Sequence, residues 1–252
     1  MIVYFSGESW DETLVEEGVE RKLTSFASVD ILSKVTGSFP EVFLDSGAFS
    51  AYTKKANITV ESYSLWLQMN LEKYPQIKVY AALDAIGDHV GTQKNLEYME
   101  AQGLEPLPVY HYGEPTEVLT KLCTEYDYVA LGGLASKRMG QEKLRLFWEW
   151  VYQEYTETRF HVFGVGVFNV FSKFQPYSVD STVWVLATRF HTIFGYSNGK
   201  PHHFSMSNES GVHLFFNNEE LIRNNIRAML DWEKLEWLNN VPTDSPEQPR
   251  LL

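Results

Sequence analysis

The chain has 252 residues, 44% of them hydrophobic and 15% aromatic, enough to bury a sizeable core in one large domain or two small ones without disulfide or metal staples. Cys123 is the only cysteine, which excludes a disulfide framework or a cysteine-rich zinc site within one chain and points to a reducing compartment. A formal charge of −12 argues against general attraction to phosphate backbones, so nucleic-acid binding would need a local basic patch.

The N-terminus, MIVYFSGESWDETLVEE, turns acidic within ten residues and lacks the basic start and apolar run of a signal peptide. No later stretch approaches the roughly 20 uninterrupted apolar residues of a membrane helix. A cytoplasmic protein without a membrane partner is expected. MIVYFSG reads as a first strand and DETLVEEGVER, residues 11–21, as its helix. KLTSFAS and DILSKV follow as a second strand and a short helix, and EVFLDSG as a third strand. TVESYSLWLQMNLEKY carries Tyr63, Leu65, Trp66, Met69 and Leu71 near helical spacing, with Thr59 as its N-cap.

IKVYAALD is a fourth strand, before the helix TQKNLEYMEAQG with a terminal glycine suited to a C-cap. PLPVYHYG and PTEVLTKLCTEY form the fifth pair, with Pro115 in the first helical turn. YVALGGL with QEKLRLFWEWVYQEY, then RFHVFGVGV with NVFSKFQPY, make the sixth and seventh pairs, and SVDSTVWV is an eighth strand. Eight βα units predict an α/β fold of the (β/α)₈ TIM-barrel type, in about 185 residues where ~250 is usual. A doubly wound open sheet is the alternative, because strand order is invisible in a sequence. From residue 190 a loop-rich insertion is expected before the closing helix ELIRNNIRAMLDWEKLEWL. Residues 1–240 then form one domain and 241–252 a flexible tail.

In a barrel the C-terminal strand ends converge on one face. Those ends carry Ser6, Asp45, Asp84, His111, Gly132 with Gly133, Gly164 with Gly166, and Asp180. Singly, each aspartate reads as a turn or cap residue and each glycine as relief for a tight turn. Together, three carboxylates behind apolar runs are costly to bury unless they are hydrogen-bonded or used. Paired carboxylates suit displacement at a sugar C1′, one at the carbon and the other at the leaving group's proton. Strand-end glycines let a flat base approach the backbone.

These motifs also resemble, in order and spacing, a known family across residues 43–184. LDSGAFS resembles the DSGGFQ motif of the tRNA-guanine transglycosylases, YVALGGLAS their YALGGLAVGE, and HVFGVGV their HLMGVG. SVDSTVW stands where they have FDCVLPTR, and KVYAALDAIGD where they have a base-recognising aspartate. The resemblance implies a barrel that exchanges guanine in a polynucleotide for a 7-deazaguanine base, with no cofactor. It makes Asp180 the nucleophile at C1′ and Asp45 the general acid/base. Asp84 would accept from the purine N1 and exocyclic amine, His111 would face the purine O6, and the Gly132 and Gly133 backbone would meet the carbonyl edge. Ser46 and Gly47 lie in the DSGAFS loop, which would shape one wall of the purine pocket.

Departures narrow the likeness. The zinc module of the tRNA enzymes has no counterpart, because the interval holds His191, His202, His203 and His213 but no cysteine, and no metal is assigned. After Asp180, Ser181, Thr182 and Trp184 replace the family's residues and Arg189 falls three places late. A short chain without the zinc module is more similar to the 7-deazaguanine DNA transglycosylases of phages and bacterial DNA-modification clusters. The expected partner is therefore DNA, with tRNA as the alternative, and the location is the host cytoplasm if the chain is phage-encoded. Pairing of the chain with itself is left open.

A base must leave the duplex before its C1′ is accessible. Tyr52, Tyr110, Tyr112, Phe168 and Trp184 are the aromatic candidates for stacking, and Lys54–Lys55, Lys137–Arg138 and Arg223 with Arg227 the candidates for phosphate contact. Two further readings stand beside base exchange: a nucleoside or glycoside hydrolase using the same carboxylates, and a catalytically silent barrel serving as a subunit.

Overall fold

The computed structural model describes residues 1–7, 9–54, 57–134, 140–166, 168–171, 173–186, 192–197, 200–205 and 218–234. Eight strands overlap the eight predicted runs: β1 (Ile2–Ser6), β2 (Arg21–Ser25), β3 (Glu41–Asp45), β4 (Ile77–Tyr80), β5 (Val109–His111), β6 (Tyr128–Gly132), β7 (Arg159–Val162) and β8 (Ser178–Ser181). All pair in parallel, in the order β4-β3-β2-β1-β8-β7-β6-β5. Apart from β4 and β5, which form the two edges, each strand pairs with its neighbours in the chain, and β1 pairs with β8, so the doubly wound alternative, which requires a reversal of order, is excluded.

The sheet curls into a barrel-like (β/α) fold that a full ladder does not close. Its edges, β4 and β5, meet at a single parallel bridge, Ala81 to Leu107. Leu107 donates its N–H to the Tyr80 carbonyl at 2.8 Å, and the Ala82 N–H donates to the Leu107 carbonyl at 2.8 Å. The reason is local chemistry. Pro106 and Pro108 flank Leu107, and neither has an N–H to donate, so the segment offers the seam one donor where a regular strand offers several.

Side chains alternate by strand parity. Val3, Phe5, Val42, Leu44, Val129, Leu131, Phe160, Val162 and Val179 point outward into the main core beneath the helices. Tyr4, Leu23, Phe43, Val109 and Ala130 fill the interior of the curl, with Phe163 packed against them. Each fully buried aliphatic or aromatic side chain contributes about 1.5–3 kcal/mol. Because the period is two, the same parity carries Ser25, Asp45, His111 and Gly132 inward one step further along their strands.

The helices are α1 (Asp11–Glu16), α2 (Leu32–Ser38), α3 (Ala48–Lys54), α4 (Val60–Asn70), α5 (His89–Ala101), α6 (Thr116–Glu125), α7 (Gln141–Glu154), α8 (Val183–Leu186) and α9 (Asn218–Lys234). Thr59 caps α4 as predicted, in a reciprocal capping box with Ser62. Several expectations change. The helix predicted over 11–21 ends at Glu16, where Gly18 turns back at φ +79°. Pro115 is the N-cap of α6, outside its first turn. The expected loop DSGAFS is a loop only to Gly47, because α3 starts at Ala48. The eighth strand stops at Ser181, and Trp184 lies on α8 with its indole N–H donated to the Ser6 carbonyl at 3.1 Å.

The region expected to be loop-rich contains an antiparallel hairpin, β9 (Thr192–Ser197) with β10 (Lys200–Ser205). Asn225 of α9, fully buried, fastens it: Oδ1 accepts from Phe194 N–H at 2.9 Å, while Nδ2 donates to the carbonyls of Thr192 and Trp184. His203 stacks on Phe194, with ring centroids 4.4 Å apart and Trp232 beside both, so it is an apolar-face histidine. The predicted closing helix is α9, which packs on α1, β1 and β9. Its Glu233 accepts from Val3 N–H at 3.2 Å and from Arg21 at 2.7 Å. The tail at 241–252, His191 and His213 lie outside the described residues.

Candidate active site

The C-terminal strand ends bring the predicted residues to one mouth. Asp45 closes β3 and Ser25 closes β2, paired in register. Gly47 must follow at φ +81°, and a Cβ there would press on the Ala27 backbone nitrogen and the Ile58 side chain. That turn aims the Gly47 N–H at Asp45 Oδ2, 3.0 Å away. Ser46, fully buried, donates its hydroxyl to Asp84 Oδ1 at 3.1 Å, which links the end of β3 to the loop after β4. Asp84 lies beyond β4 proper, past the bridge at Ala81.

Asp84 Oδ2 then meets His111 Nε2 at 3.0 Å. Two residues past His111 the chain turns back, and Glu114 approaches the other face of the ring: Oε1 is 3.6 Å from Nδ1, and Oε2 accepts from the His111 backbone N–H at 3.2 Å. Burial alone would lower the His111 pKa, but the hydrogen bond to Asp84, the close approach of Glu114 and the charges of both raise it to about 9. The ring is therefore an imidazolium at neutral pH, clamped between two carboxylates. Gly132 is paired with His111 in register, and a Cβ at 132 would collide with the imidazole. Its carbonyl accepts from Tyr112 N–H at 3.0 Å, while Gly133 is exposed beside it. Gly132→Ala is expected to push His111 off Asp84 and to cost about 1–3 kcal/mol of stability by overpacking, read by urea unfolding.

Asp180 sits on β8, opposite Tyr4 of β1 in register, and is nearly buried. Its Oδ1 accepts from Gly164 N–H at 2.7 Å, and its own carbonyl accepts from Val165 N–H at 2.8 Å. Oδ2 makes no hydrogen bond among the described residues.

Asp45 couples the set. Burial, then the charge of Asp84 and to a lesser degree that of Asp180, raise its pKa to about 7 against the opposing Gly47 N–H and Ser25 hydroxyl. A carboxyl with that value can give a proton and take it back at neutral pH. Between 3.8 and about 7 the folded protein holds a proton that the unfolded chain has lost, so stability falls as pH rises through that window. Asp45→Asn is expected to leave stability unchanged near pH 4 and to raise it above pH 7, by on the order of 4 kcal/mol, in paired thermal melts.

The aromatic candidates divide. Tyr110, Phe168 and Trp184 are buried in the main core and cannot stack on a substrate. Tyr52 and Tyr112 are 69% and 44% exposed, and Phe49, which the sequence reading passed over, is 70% exposed one turn before Tyr52 on α3. The basic candidates fare less well. Arg223 is tied to Glu16, Glu17 and Glu219, and Arg227 to Glu17, so both serve the α9–α1 contact. The side chains of Lys54, Lys55, Lys137 and Arg138 lie outside the described residues. No group of three metal-ligating side chains assembles among the described residues. No described helix is long and apolar enough to cross a membrane.

Two members of the site were not singled out from the sequence, Glu114 and His161. Glu114 follows His111 by three residues and is brought back by the turn after β5. His161 faces inward on β7 with Nε2 3.6 Å from Asp180 Oδ1, and its strand parity was the available signal. A groove of about 330 Å³ beside Tyr80, Leu107, Pro108, Tyr126 and Tyr128 lies at the opposite, N-terminal strand ends and contains none of these residues. Compared with known proteins, the chain matches no protein-family model and no curated protein.

Proposed function

We propose that the chain is a base-exchange transglycosylase that replaces guanine in DNA with a 7-deazaguanine base through a glycosyl ester on Asp180. The observation that carries this reading is the pairing of two unlike carboxyls at one mouth. Asp180 has one oxygen fixed by Gly164 and the other without a partner among the described residues, while Asp45 is protonated up to about 7. In the first step Asp180 Oδ2 bonds to C1′ as the C1′–N9 bond breaks, and Asp45 gives its proton to the departing guanine. In the second the entering base bonds to C1′, the ester bond breaks, and the proton of the entering base passes to Asp45. The chemistry balances without an oxidant or a metal.

Asp84 supplies an acceptor for the guanine N1–H, and the charge of His111, whose two ring nitrogens face Asp84 and Glu114, holds that acceptor in place. A carboxylate has about four acceptor sites, so Asp84 can take a purine N–H while it keeps Ser46 and His111. Phe49, Tyr52 and Tyr112 at the rim offer ring faces to bases around an extruded nucleotide. Mass spectrometry of DNA and tRNA nucleosides from cells with and without this chain tests the reading: a 7-deazaguanine nucleoside in DNA that depends on the chain supports it. The same nucleoside in tRNA alone reassigns the polymer.

One observation favours a second reading, a hydrolase of free nucleosides. Arg223 and Arg227, two of the cations proposed to meet phosphates, are consumed by Glu16, Glu17 and Glu219. That reading predicts turnover of guanosine or deoxyguanosine with water and without any polynucleotide.

A further inference from the structure

His161 is a buried, polar intruder in an apolar ring stack. Phe43 and Phe163 pack on it with ring centroids at 4.5 and 4.6 Å, and Tyr4 meets it edge-on at 6.0 Å. Its Nδ1 lies 2.8 Å from Ser178 Oγ, which lies 2.6 Å from the Tyr128 hydroxyl. Its Nε2 is buried without a hydrogen-bond partner, and the polar atom it faces at 3.6 Å is Asp180 Oδ1. This is the same oxygen that Gly164 N–H holds. An unpartnered, fully buried ring nitrogen is expensive, and here it points to the proposed nucleophile.

The hydroxyl chain can run in two directions. Burial holds His161 neutral despite the neighbouring Asp180, so the ring carries a single N–H. If that proton sat on Nδ1 it would donate to Ser178, and the Nε2 lone pair would face the lone pairs of Asp180 Oδ1. If Tyr128 donates to Ser178 and Ser178 to Nδ1, the proton sits on Nε2 and faces the carboxylate favourably. Burial pushes the Tyr128 phenol far above its ordinary value, so it keeps its proton to donate.

We infer that His161 is a positioning residue for Asp180: the Tyr128–Ser178 chain fixes it as the Nε2–H tautomer, and with Gly164 N–H it steadies Oδ1 while Oδ2 reacts. The inference rests on the reading of Asp180 as the nucleophile. In the glycosyl ester Oδ1 becomes the carbonyl oxygen. When Oδ2 leaves C1′ with its bonding pair, negative charge returns to the carboxylate, and two N–H donors on Oδ1 stabilise it. Loss of His161 therefore slows release of the sugar more than it slows binding.

The test has an arm that needs no turnover. Ring ¹⁵N NMR of the full chain is expected to show His161 as a neutral Nε2–H ring from pH 5.5 to 8.5. Ser178→Ala should turn it into a tautomer mixture, and Asp180→Asn should shift the Nε2–H signal. An Nδ1–H ring in the wild type, or a ring that titrates near 6.5, overturns the inference whatever the chemistry of the protein. In the kinetic arm, His161→Phe is expected to lower kcat by about 10- to 100-fold with KM for the polynucleotide unchanged and more covalent adduct at steady state. His161→Gln, whose amide N–H occupies the Nε2 position, should recover part of the loss. A fall in both variants with no adduct, or a rise in KM alone, contradicts positioning. Absence of exchange in the wild type refutes the assigned reaction, and the ring spectrum separates that failure from failure of the His161–Asp180 contact.

Discussion

Asp180→Asn is expected to abolish base exchange, by on the order of 10⁴-fold or more, while the fold and its stability persist. The amide keeps an oxygen where Gly164 N–H now donates at 2.7 Å, so no buried donor is orphaned. What disappears is the nucleophile, since a neutral amide oxygen cannot form the ester at C1′. Asp180→Ala would remove the acceptor as well, and its loss of activity would be mixed with a cost of about 1–3 kcal/mol for the unpaired N–H. Thermal melts of the Asn variant beside labelled-guanine release separate the two effects. Activity within tenfold of the wild type in the Asn variant would remove Asp180 from the mechanism.

His111→Leu is expected to be the most destabilising change at the mouth. The imidazolium stands between Asp84 and Glu114, whose side chains are 11% and 9% exposed, so its removal leaves two poorly hydrated carboxylates facing each other. Breaking a buried pair from one side costs about 3–5 kcal/mol. The pH dependence is diagnostic. The folded pKa is raised from 6.5 to about 9, so the stabilisation is fully present below 6.5 and is lost as pH rises through 9. Urea unfolding at pH 6, 8 and 10 should therefore show a gap between wild type and variant that narrows at the highest pH. A gap constant with pH would mean that His111 acts by packing alone.

Much of this arrangement was legible because strand parity is two. EVFLD and PLPVYH each place a polar residue at the end of an apolar run, and the same parity that buries Phe43 and Val109 inside the curl turns Asp45 and His111 to the mouth. The β4–β5 seam was legible in principle from Pro106 and Pro108, whose missing donors decide it, but only once strand order was known. The β9–β10 hairpin carried its own signal: Asn198–Gly199 lies between two strand-like runs, and Ser197 pairs with Lys200 across it. Its glycines and asparagines read as loop. Glu114 was hidden because its partnership with His111 depends on a turn conformation that no spacing rule specifies. The three aspartates could be placed at one mouth from the sequence, whereas the elevated Asp45 pKa depends on packing and on neighbouring charge.

The most direct measurement is exchange on a guanine-labelled duplex. The wild-type chain is incubated with labelled DNA, and in parallel with labelled tRNA, each with and without 7-cyano-7-deazaguanine, and released guanine is counted. Release from DNA is expected to require the entering base, to stop in Asp180→Asn, and to be accompanied by a denaturation-stable adduct between protein and DNA. Release that proceeds without the entering base and without adduct, or that is unchanged in Asp180→Asn, would contradict base exchange through Asp180.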